Sequence, residues 1–310
     1  MAGYYVAGGS PMKIVVTGSS GLVGSALVLH LRLAGHEVLR LVRGRPASAD
    51  ELCWDPRGWQ LDQQAFAGVE AVVHLAGEPI AGGRWSEERK ELIRQSRVDG
   101  TRFLSQALAS LAEKPKVLVS VSAVGFYGDR GDEELTEDSA VGFLFLSEVC
   151  RQWEAAADPA LQAGIRVVHP RLGMVLSAAG GALEKMLPPF RMGLGARLGS
   201  GRQWISFIHV LDLVRLIAFA IEREELAGPV NAVCAEPLRN RDFTDRLAAA
   251  LGRKARLAAP AWALRARFGE MADEVLLSSA RVLPRRLESA GFALDFPTLE
   301  AALGEILGDS

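Results

Sequence analysis

Cysteine is scarce in this 310-residue chain, which carries only Cys53, Cys150 and Cys234. Three thiols so far apart form neither a disulfide framework nor a cysteine-rich metal site, and no cluster of His, Asp or Glu has the spacing of metal ligands. No apolar stretch approaches the ~20 residues that a membrane-spanning helix needs. These absences indicate a cytoplasmic protein with no metal and no membrane partner.

A secretion signal is also lacking, because residues 1–11 have neither a charged start nor a long apolar core. Met12 stands directly before the first apolar run of the chain. We therefore interpret residues 1–11 as a tag or a flexible tail that takes no part in the fold.

An excess of charge of one sign is absent too. The 35 basic and 37 acidic residues give a net charge of −2, without a long run of either sign. This balance argues against a broad basic face, so we expect no nucleic-acid partner. Hydrophobic residues make up 49% of the chain, enough to build one large domain or two unequal ones.

The strongest signal that is present is the stretch Thr17–Gly24. It follows a β-branched run and leads directly into Ser25–Leu31, whose apolar residues have helical spacing. In such a turn, Gly18 permits the tight bend, Gly21 lets the backbone approach a pyrophosphate, and Gly24 lets the helix pack closely on the sheet. The free N–H groups and the dipole of the helix attract phosphate, so the pattern predicts a dinucleotide site.

Arg43 indicates which dinucleotide binds. In sites that prefer NAD, an acidic residue some twenty positions after the glycines holds the ribose 2′-hydroxyl. Here the second strand, Glu37–Val42, is followed by Arg43, and no Asp or Glu appears before Asp50. Because a guanidinium suits a 2′-phosphate, we expect NADP, with NAD less favoured. The alternative for Arg43 is a solvated surface side chain.

Strands and helices alternate along most of the chain. Further buried strands are indicated at residues 68–77, 116–122 and 165–170, and helices at about 86–112 and 144–157. The alternation predicts an α/β fold with a Rossmann-type, doubly wound parallel sheet that is covered on both faces.

The amino-acid composition of the sequence changes after the last of these strands. We assign residues 12–172 and about 204–234 to the Rossmann domain, and residues 173–203 and 235–310 to a smaller C-terminal substrate lobe. Within that lobe we expect helices and one more extended piece near Phe292–Phe296.

Further segments are spread along the chain: Thr17–Gly24, Leu75–Gly77, Ser122, Tyr127-Gly128, Ile208–Asp212, Ser96–Arg102, Gly199–Ser206, Gly269–Ala272 and Leu283-Pro284. Together they resemble the extended short-chain dehydrogenase/reductase superfamily, in particular its sugar-nucleotide epimerase-like branch, the NAD-dependent epimerase/dehydratases. The resemblance covers residues 12–307. It implies a seven-stranded Rossmann domain that binds NADP or NAD, and it allows a helix-mediated homodimer.

Carried over by position, the resemblance also implies cofactor contacts. The residues that would wrap the pyrophosphate are Gly18, Gly21, Leu22 and Val23. Those that would follow the adenosine half are Arg43, Leu75, Ala76 and Gly77. Those beside the nicotinamide would be Pro170, Gly173 and Val175, and those from the helix that crosses beneath the cofactor would be Arg97 and Glu91.

The proton relay of that superfamily, a Tyr-x-x-x-Lys pair, has no counterpart here. Leu146 stands at the Tyr position and Cys150 at the Lys position. Of the usual residues the serine remains, as Ser122, which would orient or polarise a substrate oxygen; the alternative is a hydroxyl bound to its own backbone. Tyr127 is the only tyrosine after residue 11 and therefore the candidate for a substitute acid, with packing or stacking as the alternative. Our candidate catalytic residues are Ser122 and Tyr127.

Two functions are consistent with this sequence. The first is an NADP-binding, epimerase-like oxidoreductase acting on a small molecule with a hydroxyl or carbonyl group, for which a nucleotide sugar is one candidate. The alternative is a sensor or scaffold protein that binds NADP(H) without turnover. The sequence does not name the substrate.

Overall fold

A computed structural model describes residues 10–56, 58, 60–81 and 83–308 of the chain. Most of the expected tail, residues 1–9, lies outside the described residues. The strands are β1 Lys13–Thr17, β2 Glu37–Val42, β3 Glu51–Asp55, β4 Gln60–Leu61, β5 Ala71–His74, β6 Val117–Ser120, β7 Ser122–Ala123, β8 Glu134–Leu135, β9 Arg166–Leu172, β10 Met174–Leu176, β11 Ala196–Leu198, β12 Trp204–Ile205, β13 Phe207–His209, β14 Gly228–Ala232, β15 Leu238–Arg239, β16 Leu257–Ala259 and β17 Arg281–Val282.

The helices connect these strands. They are α1 Leu22–Leu33, α2 Glu87–Ala109, α3 Phe145–Ala155, α4 Asp158–Gln162, α5 Gly181–Arg191, α6 Val210–Glu222, α7 Asn240–Ala250, α8 Ala261–Phe268, α9 Arg285–Ser289 and α10 Leu299–Gly308. Short helical turns add Gln63–Phe66, Val124–Tyr127 and Ala272–Leu276.

The central sheet confirms the predicted Rossmann-type fold. Within the described residues, seven parallel strands run in the order β14-β9-β6-β5-β1-β2-β3, and β4 extends the sheet antiparallel to β3. The short strand β7 continues the line of β6 beside β9. The chain moves from β1 to β2 and β3 in one direction and then returns to place β5 on the other side of β1. Such a reversal opens a crevice at the carboxyl ends of the strands, where ligands of this fold class bind.

Both faces of the sheet are buried, which explains its β-branched strands. Side chains alternate along β1, so Ile14 and Val16 pack with Leu27 of α1 on one face while Val15 packs with Leu104 of α2 on the other. Helices α1 and α6 cover the first face, and α2 and α4 cover the second. Each fully buried side chain of this kind contributes about 1.5–3 kcal/mol.

A third core lies around Phe243 and Leu299 of the region expected to form the substrate lobe, and Phe207 of the expected Rossmann domain packs into it. The pairs β10–β13, β12–β15 and β8–β17 link that region to segments of the expected Rossmann domain. The division into residues 12–172 with 204–234 and residues 173–203 with 235–310 stays a prediction.

The residues expected to form an extended piece, Phe292–Phe296, form no strand. The backbone N–H groups of Asp295 and Phe296 instead donate to the buried carboxylate of Asp212, at 2.8 and 2.9 Å. A side chain therefore satisfies the donors that a neighbouring strand would have paired.

Candidate functional site

The turn between β1 and α1 is so tight that two positions admit only glycine. Gly18 has a φ of 67°, and a methyl group added to it would lie 2.8 Å from the carbonyl carbon of Leu75. A methyl group on Gly24 would lie 2.2 Å from the carbonyl oxygen of Gly18. The close neighbour of Gly24 is thus the turn itself rather than the sheet.

Gly21 has the opposite environment, since it is exposed and an added methyl group would approach nothing closer than 3.4 Å. It occupies the N-cap position of α1, where no side chain caps the helix and the first turn holds no acidic residue. The first helical bond runs from the Ser25 N–H to the Gly21 oxygen, which leaves the N–H groups of Leu22 and Val23 without helical partners. Free donors beside an exposed glycine at the start of a helix fit a phosphate group.

Thr17 and His74 hold the ends of β1 and β5 together. The hydroxyl oxygen of Thr17 accepts from the N–H groups of Leu75 at 3.1 Å and Ala76 at 3.2 Å. Because this oxygen already accepts two hydrogen bonds, we infer that its own proton is donated to Nδ1 of His74, 2.7 Å away. Burial lowers the pKa of His74 to about 4, so the imidazole is neutral at neutral pH. This bonding fixes Leu75, Ala76 and Gly77 next to Gly18.

Arg43 follows β2 at the same edge of the sheet and is exposed. Within the described residues its guanidinium forms neither an ion pair nor a hydrogen bond. The first carboxylate after it, that of Asp50, is bound by Nε of Arg40 at 2.8 Å and by Arg32. The Arg40 hydrogen bond is the main cause that lowers the pKa of Asp50. Asp50 is therefore engaged with arginines, while the cation of Arg43 faces solvent.

Arg97 of α2 reaches under the loop that follows β5. Its Nη1 donates to the carbonyl oxygens of Glu78 at 2.9 Å and Ile93 at 3.2 Å, and its guanidinium lies 5.1 Å from the ring centroid of Trp153. A methyl group on Gly77 would be 3.4 Å from its Cζ, so Gly77 and Arg97 are brought together. Burial lowers the pKa of Arg97, although an arginine remains charged at neutral pH.

Glu91, on the same helix, is not brought to this group. It is exposed, and its carboxylate accepts from Arg94 at 2.6 Å and from Gln95 at 2.7 Å. The Arg94 hydrogen bond lowers the pKa of Glu91. We therefore infer a surface role for Glu91 in place of the cofactor contact.

Ser122 lies at the carboxyl end of the β6–β7 line and is 1% exposed. Its hydroxyl has no hydrogen bond of ordinary geometry within the described residues, although the thiol of Cys150 is beside it. Burial raises the pKa of Cys150 to about 11, so that thiol stays protonated and unreactive. An added methyl group on Gly125 would contact Leu146 at 3.4 Å and the Cys150 Sγ at 3.8 Å. Ser122 thus has a buried hydroxyl whose neighbour is a protonated thiol, a weak hydrogen-bond partner.

Tyr127 is fully buried. Its hydroxyl donates to Oδ1 of Asn231 at 2.7 Å and accepts from Nη1 of Arg171 at 2.9 Å. Burial, the largest influence, raises the pKa of Tyr127. A group with no solvent contact and two protein partners does not reach a ligand, so we propose a structural role for Tyr127 in place of a catalytic one.

The residues expected beside the nicotinamide lie where β9 passes into β10. Pro170 is buried in register with Val230 of β14. A methyl group on Gly173 would lie 2.6 Å from the carbonyl oxygen of Ser206, so the neighbouring chain already requires glycine there. Val175 is half-buried and pairs with Ile208. Their contact with a cofactor stays a prediction.

The structure adds two residues to this site, Gly180 and Gly181 at the start of α5. Methyl groups on Gly180 and Gly181 would contact the side chain of Leu22 at 3.3 and 3.2 Å. The loop before α5 therefore lies over the first residue of α1. In the sequence, only the adjacency of the two glycines marks this position. Sequence reasoning missed it because the contact with Leu22 joins segments that lie far apart in the chain.

In the part of the chain that the structure describes, no three His, Cys, Asp or Glu side chains are grouped as a metal ion would require. Nor is any helix among these residues long and apolar enough to cross a bilayer.

Comparisons with known proteins show the family of this chain. Residues 14–233 match the model of the NAD-dependent epimerase/dehydratase family, and residues 259–306 match a domain of unknown function. An epimerase family protein of Mycobacterium bovis is 46% identical over 291 residues, which cover 94% of this chain and 96% of that protein.

Solved structures are similar as well. The crystal structure of the human epimerase family protein SDR39U1 with NADPH has 34% sequence identity and a TM-score of 0.87, over 96% of this chain and 100% of that chain. A nucleoside-diphosphate sugar epimerase from Corynebacterium glutamicum has 38% identity and a TM-score of 0.80, over 97% of this chain and 59% of that one. This chain therefore belongs to the NAD-dependent epimerase/dehydratase family.

Proposed function

We propose that this protein binds NADPH at the carboxyl edge of its sheet and acts as an epimerase-like oxidoreductase on a small molecule with a hydroxyl or carbonyl group. The observation that carries the proposal is the uncapped start of α1, with Gly21 exposed, at the edge of the sheet where Arg43 is exposed. The NADPH bound in the similar human protein supports it. When bound, NADPH supplies a hydride from its nicotinamide ring.

Different residues of this chain would bind different parts of NADPH. The N–H groups of Leu22 and Val23 would hold the pyrophosphate, and the guanidinium of Arg43 would pair with the 2′-phosphate. Leu75, Ala76 and Gly77 would line the adenosine half. The residues proposed beside the nicotinamide are Pro170, Gly173 and Val175, with Arg97 beneath the cofactor.

Ser122 is the group we propose to meet the substrate. Its hydroxyl is buried and, within the described residues, has only the thiol of Cys150 beside it, without a hydrogen bond of ordinary geometry. A buried polar group gains stability when it finds a better partner. A hydroxyl or carbonyl oxygen of the substrate would be that partner. Leu146 and the protonated thiol of Cys150 offer no base nearby, so Ser122 would orient the substrate. A nucleotide sugar is one candidate substrate.

The cofactor assignment is tested by titrating NADPH and NADH into the wild-type protein and Arg43→Glu. We expect Arg43→Glu to weaken NADPH at least about tenfold, because a charged hydrogen bond to the 2′-phosphate is replaced by repulsion. NADH, which lacks that phosphate, should bind almost unchanged.

The control for this titration is Arg223→Glu, the same change of charge at the exposed end of α6. It should leave both affinities unchanged. Equal losses for NADPH and NADH in Arg43→Glu would refute the 2′-phosphate contact. A panel of nucleotide sugars and carbonyl compounds with NADPH then tests turnover: loss of turnover in Ser122→Ala supports the proposed role, and no turnover with any compound favours binding without chemistry.

A further inference from the structure

Helix α3 begins without a cap of its own. The residue at its N-cap position is Leu144, whose apolar side chain cannot accept the free N–H groups of the first turn. The cap comes instead from Glu274, far along the chain. Its two carboxylate oxygens accept from the N–H groups of Phe145 at 2.9 Å and Leu146 at 3.0 Å. A carboxylate at a helix N-terminus is also stabilised by the helix dipole.

Glu274 belongs to a segment, residues 266–276, that we call the C-terminal clamp. The clamp also contacts α2, since Glu270 pairs with Lys90 at 3.1 Å. It contacts the loop after β5, where Nη1 of Arg84 donates to the carbonyl oxygen of Ala266 at 3.4 Å.

Apolar contacts accompany these polar ones. Met271 of the clamp is buried in a cluster with Trp85 and Ile93, against which Phe145 and Leu146 pack. The rings of Trp85 and Phe145 meet edge to face, 5.6 Å apart. The clamp is thus joined both to the loop after β5 and to the start of α3.

The first turn of α3 in turn supports the candidate active site. The hydroxyl of Ser147 donates to the carbonyl oxygen of Gly125 at 2.9 Å, and Leu146 packs against Gly125. Gly125 lies in the turn that directly follows β7, and β7 pairs with the last two residues of β9 just before Gly173. A displacement of the first turn of α3 would therefore move the edge that carries Ser122 and Gly173.

From these contacts we propose that Glu274 is a positioning residue for the nicotinamide half of the cofactor site. By capping α3, the C-terminal clamp holds the edge of Ser122 and Gly173 in its binding conformation. Without the cap, the first turn of α3 frays and only a fraction of the molecules is competent to bind, so the apparent affinity falls by that fraction. This inference rests on the proposed NADPH binding.

The test compares two ligands by calorimetry on the full chain: intact NADPH, and adenosine 2′,5′-bisphosphate, which lacks the nicotinamide half. Glu274→Ala should weaken NADPH about tenfold and leave adenosine 2′,5′-bisphosphate unchanged within about twofold. Glu274→Gln keeps one acceptor oxygen and should show a smaller loss. The matched control is Asp273→Asn, whose side chain is half exposed and pairs with Arg265 on the surface; it should alter neither affinity.

Each outcome of this comparison either supports or overturns the positioning role of Glu274. Unchanged NADPH binding in Glu274→Ala, or equal losses for both ligands, overturns the positioning role, and intact binding of adenosine 2′,5′-bisphosphate shows that the variant is folded. If the wild-type protein binds neither ligand, the proposed function fails and this inference with it. Amide hydrogen exchange distinguishes a failure of the cap from a failure of NADPH binding. The amides of Phe145 and Leu146 should exchange faster in Glu274→Ala than in the wild type even without a ligand.

Discussion

At the scale of single residues, the hydroxyl of Tyr127 is one member of a buried polar network. Its partner Arg171 also forms a bidentate pair with Glu154, at 2.8 and 2.9 Å, and its guanidinium lies 3.6 Å from the ring centroid of Phe126. Its other partner, Asn231, donates from Nδ2 to the carbonyl oxygen of Leu283. Because these members are mutually hydrogen-bonded, the network favours one arrangement of the chain.

This environment predicts that Tyr127→Phe is a stability variant. Removal of the hydroxyl leaves a donor of Arg171 and an acceptor of Asn231 without a partner, and we expect the free energy of unfolding to fall by about 1–3 kcal/mol. Urea unfolding measures this change, and the affinity for NADPH should remain that of the wild type. A variant that keeps its stability and loses turnover would instead restore Tyr127 as a catalytic residue.

At the scale of elements, the start of α1 contains a glycine that the fold requires, Gly24, and one that the fold does not require, Gly21. Gly24 is buried against the oxygen of Gly18, whereas Gly21 is exposed and a methyl group added to it would make one ordinary contact, at 3.4 Å. Gly21 has a φ of −77°, which any residue adopts. Folding therefore explains Gly24, and the pyrophosphate contact that we propose would explain Gly21.

The two positions should respond differently to the same substitution. Gly24→Ala forces the turn and the helix apart, and we expect it to lower the free energy of unfolding by about 1–3 kcal/mol or more. Gly21→Ala should change that free energy by less than about 1 kcal/mol, since it alters only the cap preference and the chain entropy. Its methyl group would stand where the phosphate approaches, so the NADPH affinity should fall about tenfold.

Thermal unfolding and calorimetry on this pair of variants provide the measurement, with each variant serving as the control for the other. Wild-type NADPH affinity in Gly21→Ala would contradict the pyrophosphate site at this turn. Wild-type stability in Gly24→Ala would contradict the close approach of Gly18 and α1.

At the scale of the whole molecule, folding keeps most histidines neutral. Of the five in the sequence, burial lowers the pKa of His30, His74, His169 and His209, with that of His74 at about 4. In the unfolded chain these side chains take up protons below their ordinary pKa of about 6.5. Protons therefore bind preferentially to the unfolded state between about pH 6.5 and the lower folded pKa values.

The molecule should accordingly lose stability as the pH falls through that window. His74 alone should lower the free energy of unfolding by about 2 kcal/mol at about pH 5 relative to about pH 7.5. Urea unfolding at the two pH values measures the loss, and His74→Gln, which cannot take up the proton, should show a smaller difference. Equal stability of the wild type at both pH values would contradict the neutral, buried state of His74.

The sequence by itself determined the features that depend on residues close together in the chain. The spacing of apolar residues distinguishes strands from helices, because side chains alternate in one and recur every 3.6 residues in the other. The turn from Gly18 to Gly24 and the cap of α2, where Ser86 accepts from the Arg89 N–H, are likewise local. The Rossmann-type sheet follows from these patterns, since alternating strands and helices pack stably as a parallel sheet covered on both faces.

Only the tertiary structure decided which distant groups meet. The hydroxyl of Tyr127 is bound by Arg171 and Asn231. Glu274 caps α3, and the carboxylate of Asp212 accepts from the backbone of residues 292–296, which pair with no strand. In each case donor and acceptor lie far apart in the sequence, and a hydroxyl, carboxylate or N–H group accepts many partners equally well. The folded chain selects one of them by bringing it within about 3 Å and excluding water, which no local pattern of residues specifies.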